Sequence, residues 1–245
     1  MNPRNPSVNW TTRERVWEDG SRMSNSSVGA SRLRAAQITT ELYRSCMQLS
    51  EEARSLLVEN EGMKRLGLNA QVLAAQTGTQ GGALEVIVSE IGRLSASIRD
   101  VLGDLGESSR ILSASSIDLL HLSHLHSSYD LGWKVGIDDS GAEHFARTFR
   151  AVEERKAHHL DDLSRRLEGV DSLVQDLSRI AQQIPPVTTM IRIVVTEIRA
   201  RTVELLGTVE DLKNFQDHLD TKVERMRQIR AVSGRQIQDL RRGDR

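Results

Sequence analysis

Apolar residues recur every three or four positions along most of the chain, a spacing that predicts amphipathic helices rather than strands. A first helix is predicted from about Ser31 to Thr77, and a second, with heptad spacing, from Leu84 to about Tyr129. A third runs through Phe145 to Ile180 and a fourth restarts near Thr188. The four predicted helices have similar lengths of roughly 45–55 residues, or about 70–80 Å.

Helices this long cannot leave their apolar seams in water, so they must pack against one another. We therefore predict an all-α fold in which long antiparallel coiled-coil hairpins form a four-helix bundle, within one chain or between two. Pro185-Pro186 should end the third helix, because proline lacks the N–H that continues the hydrogen-bond ladder. The expected organisation is a disordered leader at 1–27, a hairpin at 28–132 with its tip at 78–82, a loop at 133–141, and a second hairpin at 142–245 with its turn at 184–188.

The stretch 66–95 reads as a helix, a glycine turn and a second helix. Gly78 can adopt the left-handed conformation that ends a helix, and Gly81-Gly82 let the chain reverse. This stretch resembles, without a gap, the hairpin tip of bacterial methyl-accepting chemotaxis proteins (chemoreceptors), which implies a signalling hairpin. The letters that match are Leu66, Leu68, Asn69, Ala70, Ala74, Ala75, Gly78, Gln80, Gly81, Val86, Glu90 and Leu94.

The contact positions depart from that family, whose tip binds the chemotaxis histidine kinase and its coupling protein. Leu73 and Thr79 stand where the family has glutamate, Gln76 and Gly82 where it has arginine, and Leu84 where it has phenylalanine. Losing these charges removes the partners that give such contacts their specificity. We therefore predict a partner-binding tip for a different partner, formed by Asn69, Leu73, Gln76, Gly78, Thr79, Gln80, Gly81, Gly82 and Leu84.

Composition narrows the class of protein further. With 27% charged residues and a net charge of −1, the chain has no overall bias toward nucleic acid. Its one cysteine, Cys46, lies in a helical seam and fits a reducing compartment. The longest apolar run, 190–195, is short and contains Arg192, so we expect no membrane span. No secretory signal is visible either, and we expect a cytoplasmic protein, as a monomeric bundle or a homodimer.

Histidines near the predicted loop are the one group that resembles metal ligands. The best candidates are His121, His124 and His158, yet no acidic or cysteine ligand completes a set, and we predict no cofactor. No phosphate-binding loop, nucleophile elbow or paired catalytic carboxylate motif is present, so we expect no enzyme. The expected function is signal transduction or scaffolding through protein partners, such as chemotaxis or motility components. The alternatives are a metal-binding or haem-binding sensor at the histidines and a purely structural coiled-coil adaptor.

Overall fold

The computed structural model describes the backbone of residues 11–76, 82–135, 139–197 and 202–243, and side chains within 33–76, 82–126, 143–196 and 206–242, with that of Ser128. Every regular element in these ranges is an α-helix, which confirms the all-α prediction. Within these ranges, no helix combines the length and the apolar character needed to cross a lipid bilayer. The helices are α1 (Thr11–Gln76), α2 (Gly82–Val135), α3 (Asp139–Ala181), α4 (Ile184–Glu197) and α5 (Thr202–Gly243).

The long helices pack as antiparallel neighbours around one apolar core. Helix α1 packs against α2 and α5, while α2 and α5 both pack against α3 and α4. Ion pairs between α3 and α5 show the direction, since Asp161 pairs with Arg241 and Asp171 pairs with Arg230. As the residue number rises on one helix it falls on the other. One chain therefore closes a four-helix bundle whose four arms are α1, α2, α3 with α4, and α5.

The predicted turn at 184–188 is corrected, because α4 already begins at Ile184. Only Gln182 and Gln183 separate it from α3, and their N–H groups still donate to Ser178 and Ile180. Both α3 and α4 pack against α2 and α5, so the two helices form one arm that is interrupted at Gln182 and Gln183, and the chain reverses between α4 and α5. Proline is tolerated in a first helical turn, whose N–H groups have no intrahelical acceptor. The proline pair therefore marks a helix start rather than a reversal.

Two further boundaries differ from those expected. Helix α1 begins at Thr11, inside the expected leader 1–27, and α2 continues to Val135 while α3 begins at Asp139, inside the expected loop 133–141. Residues 1–10 and 136–138 lie outside the described residues. The chain has no proline between Pro6 and Pro185, so nothing in its covalent structure stops a helix from extending through these polar segments.

The predicted seams largely match the core, with one systematic shift in α2. On α1 the apolar spacing predicts a seam through Leu42, Cys46, Leu49, Ala53, Leu56, Met63, Gly67, Ala70 and Ala74, and all of these residues are buried, with Cys46 3% exposed. On α2, the heptad spacing that begins at Leu84 would place Ser108 and Ser115 in the seam, whereas Ser109 and Ser116 are the buried residues. A helix in a four-helix bundle contacts two neighbours, so its buried stripe is wider than a two-stranded seam. The buried hydroxyls donate to carbonyls four residues earlier, so they are not left unpaired.

Candidate partner-binding site

The predicted tip surface is only partly inside the described chain. Asn69 and Gln76 are exposed on the last turns of α1, and Gly82 is exposed as the first residue of α2. Four of the predicted residues lie outside the described residues: Gly78, Thr79, Gln80 and Gly81.

Leu84 is not part of an exposed surface, which corrects that assignment. Its side chain is 1% exposed and belongs to the core with Ile87 and Ile91. The spacing of three and four residues between them places all three on one helix face. Leu73 is half-buried and packs against the same core. The chemoreceptor resemblance suggested an exterior position for Leu84, but the helical period decides its orientation.

Two exposed apolar residues near the tip were missed as site residues. Leu68 is 54% exposed and Val72 is 57% exposed. They are four residues apart, so they lie on the same face of α1, one turn from each other. Both are absent from the predicted seam, which runs through Gly67, Ala70 and Ala74. Large apolar side chains that the core does not require were therefore the available signal in the sequence.

These side chains lie at the level of an exposed glycine of the neighbouring helix α2. Arg99 of α2 forms an ion pair with Glu61 of α1 at 3.5 Å, which fixes the level of the two helices. Leu68 follows Glu61 by seven residues, and Gly92 precedes Arg99 by seven, so Leu68 and Gly92 lie at about the same level two turns nearer the tip. A Cβ at Gly92 would meet no atom within 4 Å. Leu68, Val72 and Gly92 form what we call the α1–α2 notch.

The tip side of the notch carries little charge, whereas Lys64 and Arg65 lie one turn before Leu68 on α1 and Glu85 lies two turns from Gly92 on α2. Residues 66–84 contain no Asp, Glu, Lys or Arg, in a chain that is 27% charged. On α2, Glu90 accepts a 2.6 Å bond from Arg93, and this bond lowers the pKa of the Glu90 carboxyl. That pair therefore stays ionised and internally neutralised. The notch offers shape and apolar surface rather than acid–base chemistry.

The inner side of the hairpin is held by a buried polar contact. Asn60 of α1 is 0% exposed, and its Nδ2 donates to the Ser95 carbonyl oxygen of α2 at 2.8 Å. Nearer the tip, a Cβ at Gly67 would lie 3.4 Å from Ile91 Cγ2, so the helix backbones approach closely there. These contacts set the spacing of α1 and α2 beneath the notch.

The histidine candidates lie far along the bundle from the tip. His121, His124 and His158 are all exposed. In the described part of the chain, no three His, Cys, Asp or Glu side chains are grouped so that they could hold a metal ion. His126, which was not a candidate, packs its ring 4.7 Å from that of Phe149, and its Nε2 lies 3.5 Å from Glu153.

Cys46 is a core residue, as the seam predicted. Burial raises the pKa of its thiol to about 11, against a smaller opposing effect of a hydrogen bond with Ser116. At neutral pH the side chain is therefore a protonated thiol, which is a poor nucleophile.

Comparison of the chain with protein-family models, with curated proteins and with solved structures finds no match. The chemoreceptor resemblance therefore depends on the residues of the 66–95 stretch alone.

Proposed function

We propose that this protein is a non-enzymatic cytoplasmic signalling or scaffold bundle that binds a protein partner at the tip end of its first hairpin, through the α1–α2 notch. The observation that carries the proposal is the pair of exposed side chains, Leu68 and Val72, beside the open surface at Gly92. Exposed apolar side chains beside a position without a side chain offer surface that a partner can cover.

The chemistry of the notch indicates what the partner presents. With no charge in residues 66–84, the matching surface is apolar, such as one large side chain on an amphipathic helix. Burying the exposed parts of Leu68 and Val72 contributes on the order of 2 kcal/mol. A micromolar complex needs about 8 kcal/mol, so the notch would act as an anchor within a larger interface. Its contribution should be insensitive to salt.

The sequence pattern supports a partner other than the chemoreceptor kinase. Packing and turn letters of that family persist at Asn69, Gly78 and Gln80, whereas the charged contact letters at Leu73 and Gln76 have changed. A retained scaffold with altered outer residues is what a repurposed interface would look like. A purely structural adaptor would not depend on the notch at all.

Filling the notch tests the proposal. Gly92→Leu places a side chain where a Cβ meets nothing, so the bundle should fold, and replacing a helical glycine should raise the melting temperature. Gly103→Leu is the matched control, since Gly103 is also an exposed α2 glycine with no atom within 4 Å of its Cβ position.

A photo-crosslinking residue at Val72, in the native host, would capture and identify the partner. The expected result is that Gly92→Leu lowers capture by at least about tenfold while Gly103→Leu does not, as for the loss of an anchor residue. Equal capture by both variants would contradict the role of the notch. No specific adduct at Val72 would favour the structural adaptor.

A further inference from the structure

A second apolar surface, formed by residues of α4 and one residue of α2, lies near the same end of the bundle. Arg93 of α2 donates to the Gln183 side chain at 2.7 Å, which aligns α2 with the start of α4. Val86 precedes Arg93 by seven residues and Met190 follows Gln183 by seven, so both lie two turns nearer the tip, at one level, on facing flanks. Val86 is 64% exposed, Met190 37%, and Ile193, one turn further along α4, 55%. These three residues form the α4 patch.

The threonine hydroxyls around the α4 patch are already paired within α4. The hydroxyls of Thr188 and Thr189 both donate to the Pro185 carbonyl oxygen, and that of Thr196 donates to Ile193. Pro185 and Pro186 have no N–H, which removes two of the donors that a helix start normally leaves unpaired. Covering this surface would therefore leave few hydrogen-bonding groups without a partner, so the free-energy cost of removing it from water is small.

Apart from the ion pair of Glu90 with Arg93, one charge of each sign flanks the α4 patch. Glu85 precedes Gly92 by seven residues and Arg99 by fourteen, which places it on the flank of α2 turned toward α1. Arg192, the one charged residue in 180–196, shares a flank of α4 with half-buried Thr188 and buried Val195, the flank turned toward α5. The patch thus lies between an acidic edge on α2 and a basic edge on α4.

We infer that the α4 patch binds a second copy of this chain, with the two bundles side by side and parallel. A two-fold axis parallel to the bundles exchanges the left and right edges of the patch. Glu85 of one copy then faces Arg192 of the other, and Val86 of one copy faces Met190 of the other across the axis. An antiparallel pair would oppose like charges instead. Only the parallel dimer is complementary in both apolar surface and charge.

Sedimentation of the full chain over a concentration series tests the inference. The wild type should form a dimer that dissociates on dilution, and Ile193→Lys should weaken it by at least about tenfold. The control is Val58→Lys, at an α1 position that is 69% exposed and outside the patch; it should leave the dimer unchanged. Gly92→Leu should also leave it unchanged, which separates this test from that of the notch. A wild type that is monomeric at about 100 μM would overturn the inference.

Charge exchange tests the parallel arrangement. Glu85→Arg and Arg192→Glu should each weaken the dimer, and the double variant should restore it, because the facing charges are opposite again. Met190→Cys, close to the two-fold axis, should form an intermolecular disulfide under mild oxidation, while buried Cys46 does not compete. If the double variant dissociates more than either single one, or if no disulfide forms at position 190, the parallel dimer is wrong.

Discussion

Removing the charge of Lys222 tests how a buried carboxylate joins α1 to α5. Glu52 of α1 is 6% exposed, and its two oxygens bind different cations of α5. Lys222 Nζ lies 2.6 Å from Oε2, and Arg225 Nε lies 2.9 Å from Oε1. The side chain of Lys222 is 25% exposed, whereas that of Arg225 is 62% exposed. The two cations should therefore contribute unequally to stability.

The magnitudes follow from burial. Lys222→Met keeps the apolar stem but leaves Oε2 of a buried carboxylate without its charged donor, which should lower the free energy of unfolding by about 1.5–3 kcal/mol. Arg225→Met removes a cation that water screens, so its effect should be at most about 1 kcal/mol. The double variant leaves Glu52 buried and without a cation, so its free energy of unfolding should fall by about 3–5 kcal/mol. This decrease should exceed the sum of the decreases in the two single variants.

Urea denaturation of the three variants at neutral pH, followed by circular dichroism, measures these differences. The denaturant slopes should match that of the wild type, so that midpoint shifts report stability. Lys222→Arg is the control, since it keeps the positive charge on the same helix face. A larger loss for Arg225→Met than for Lys222→Met would refute the reasoning from burial. Strict additivity of the two single effects would refute the coupling through Glu52.

Three further outcomes are expected. Asn60→Leu should be neutral or stabilising by up to about 2 kcal/mol in thermal melts. The substitution loses the hydrogen bond to Ser95, but it also removes the buried Oδ1 of Asn60, which has no partner. A clear destabilisation would mean that the hydrogen bond to Ser95 contributes more than burying the unpaired Oδ1 costs. Cys46 should resist aromatic disulfide reagents in the folded protein and react at once in urea. Since its pKa rises from 9.0 to about 11 on folding, its contribution to stability should be fully present below pH 9 and lost as the pH rises toward 11; equal reactivity in both states would contradict the burial. Zinc should not raise the melting temperature, since His121 and His124 have no third ligand among the described residues; a raised midpoint would revive the sensor alternative.

The helical spacing of apolar residues predicted most of the fold. It identified the seam of α1, including the burial of Cys46, and most of the seam of α2, because a spacing of three and four leaves one face that must be covered. It failed at Pro185-Pro186, where a local signal for a helix boundary was taken for a reversal of the chain. A boundary does not specify the angle between the helices it separates. Only the packing of α4 against α2 and α5 fixes that angle.

The site was harder to predict than the fold. The comparison with chemoreceptor residues pointed to Leu73 and Leu84 as site residues. The spacing of apolar residues along α2 already placed Leu84 in the core. The α1–α2 notch depends on two helices meeting at one level, and no single-helix pattern gives that level. It follows from the ion pair between Glu61 and Arg99. Exposed apolar residues outside the seam, such as Leu68, were the part of the site that the sequence could have indicated.

Ion pairs between helices are unevenly placed along the bundle, and this connects the two proposed surfaces. Away from the tip, pairs such as Glu52 with Lys222, Asp171 with Arg230 and Asp161 with Arg241 join neighbouring helices. Among the described side chains of 66–76, 82–92 and 184–196, no ion pair joins one helix to another. Apolar contacts there lack the directional geometry of charge pairs, so helices can shift slightly or accept a new apolar neighbour without breaking one. A partner that binds at the tip end therefore breaks the fewest contacts between helices, and both the α1–α2 notch and the α4 patch lie there.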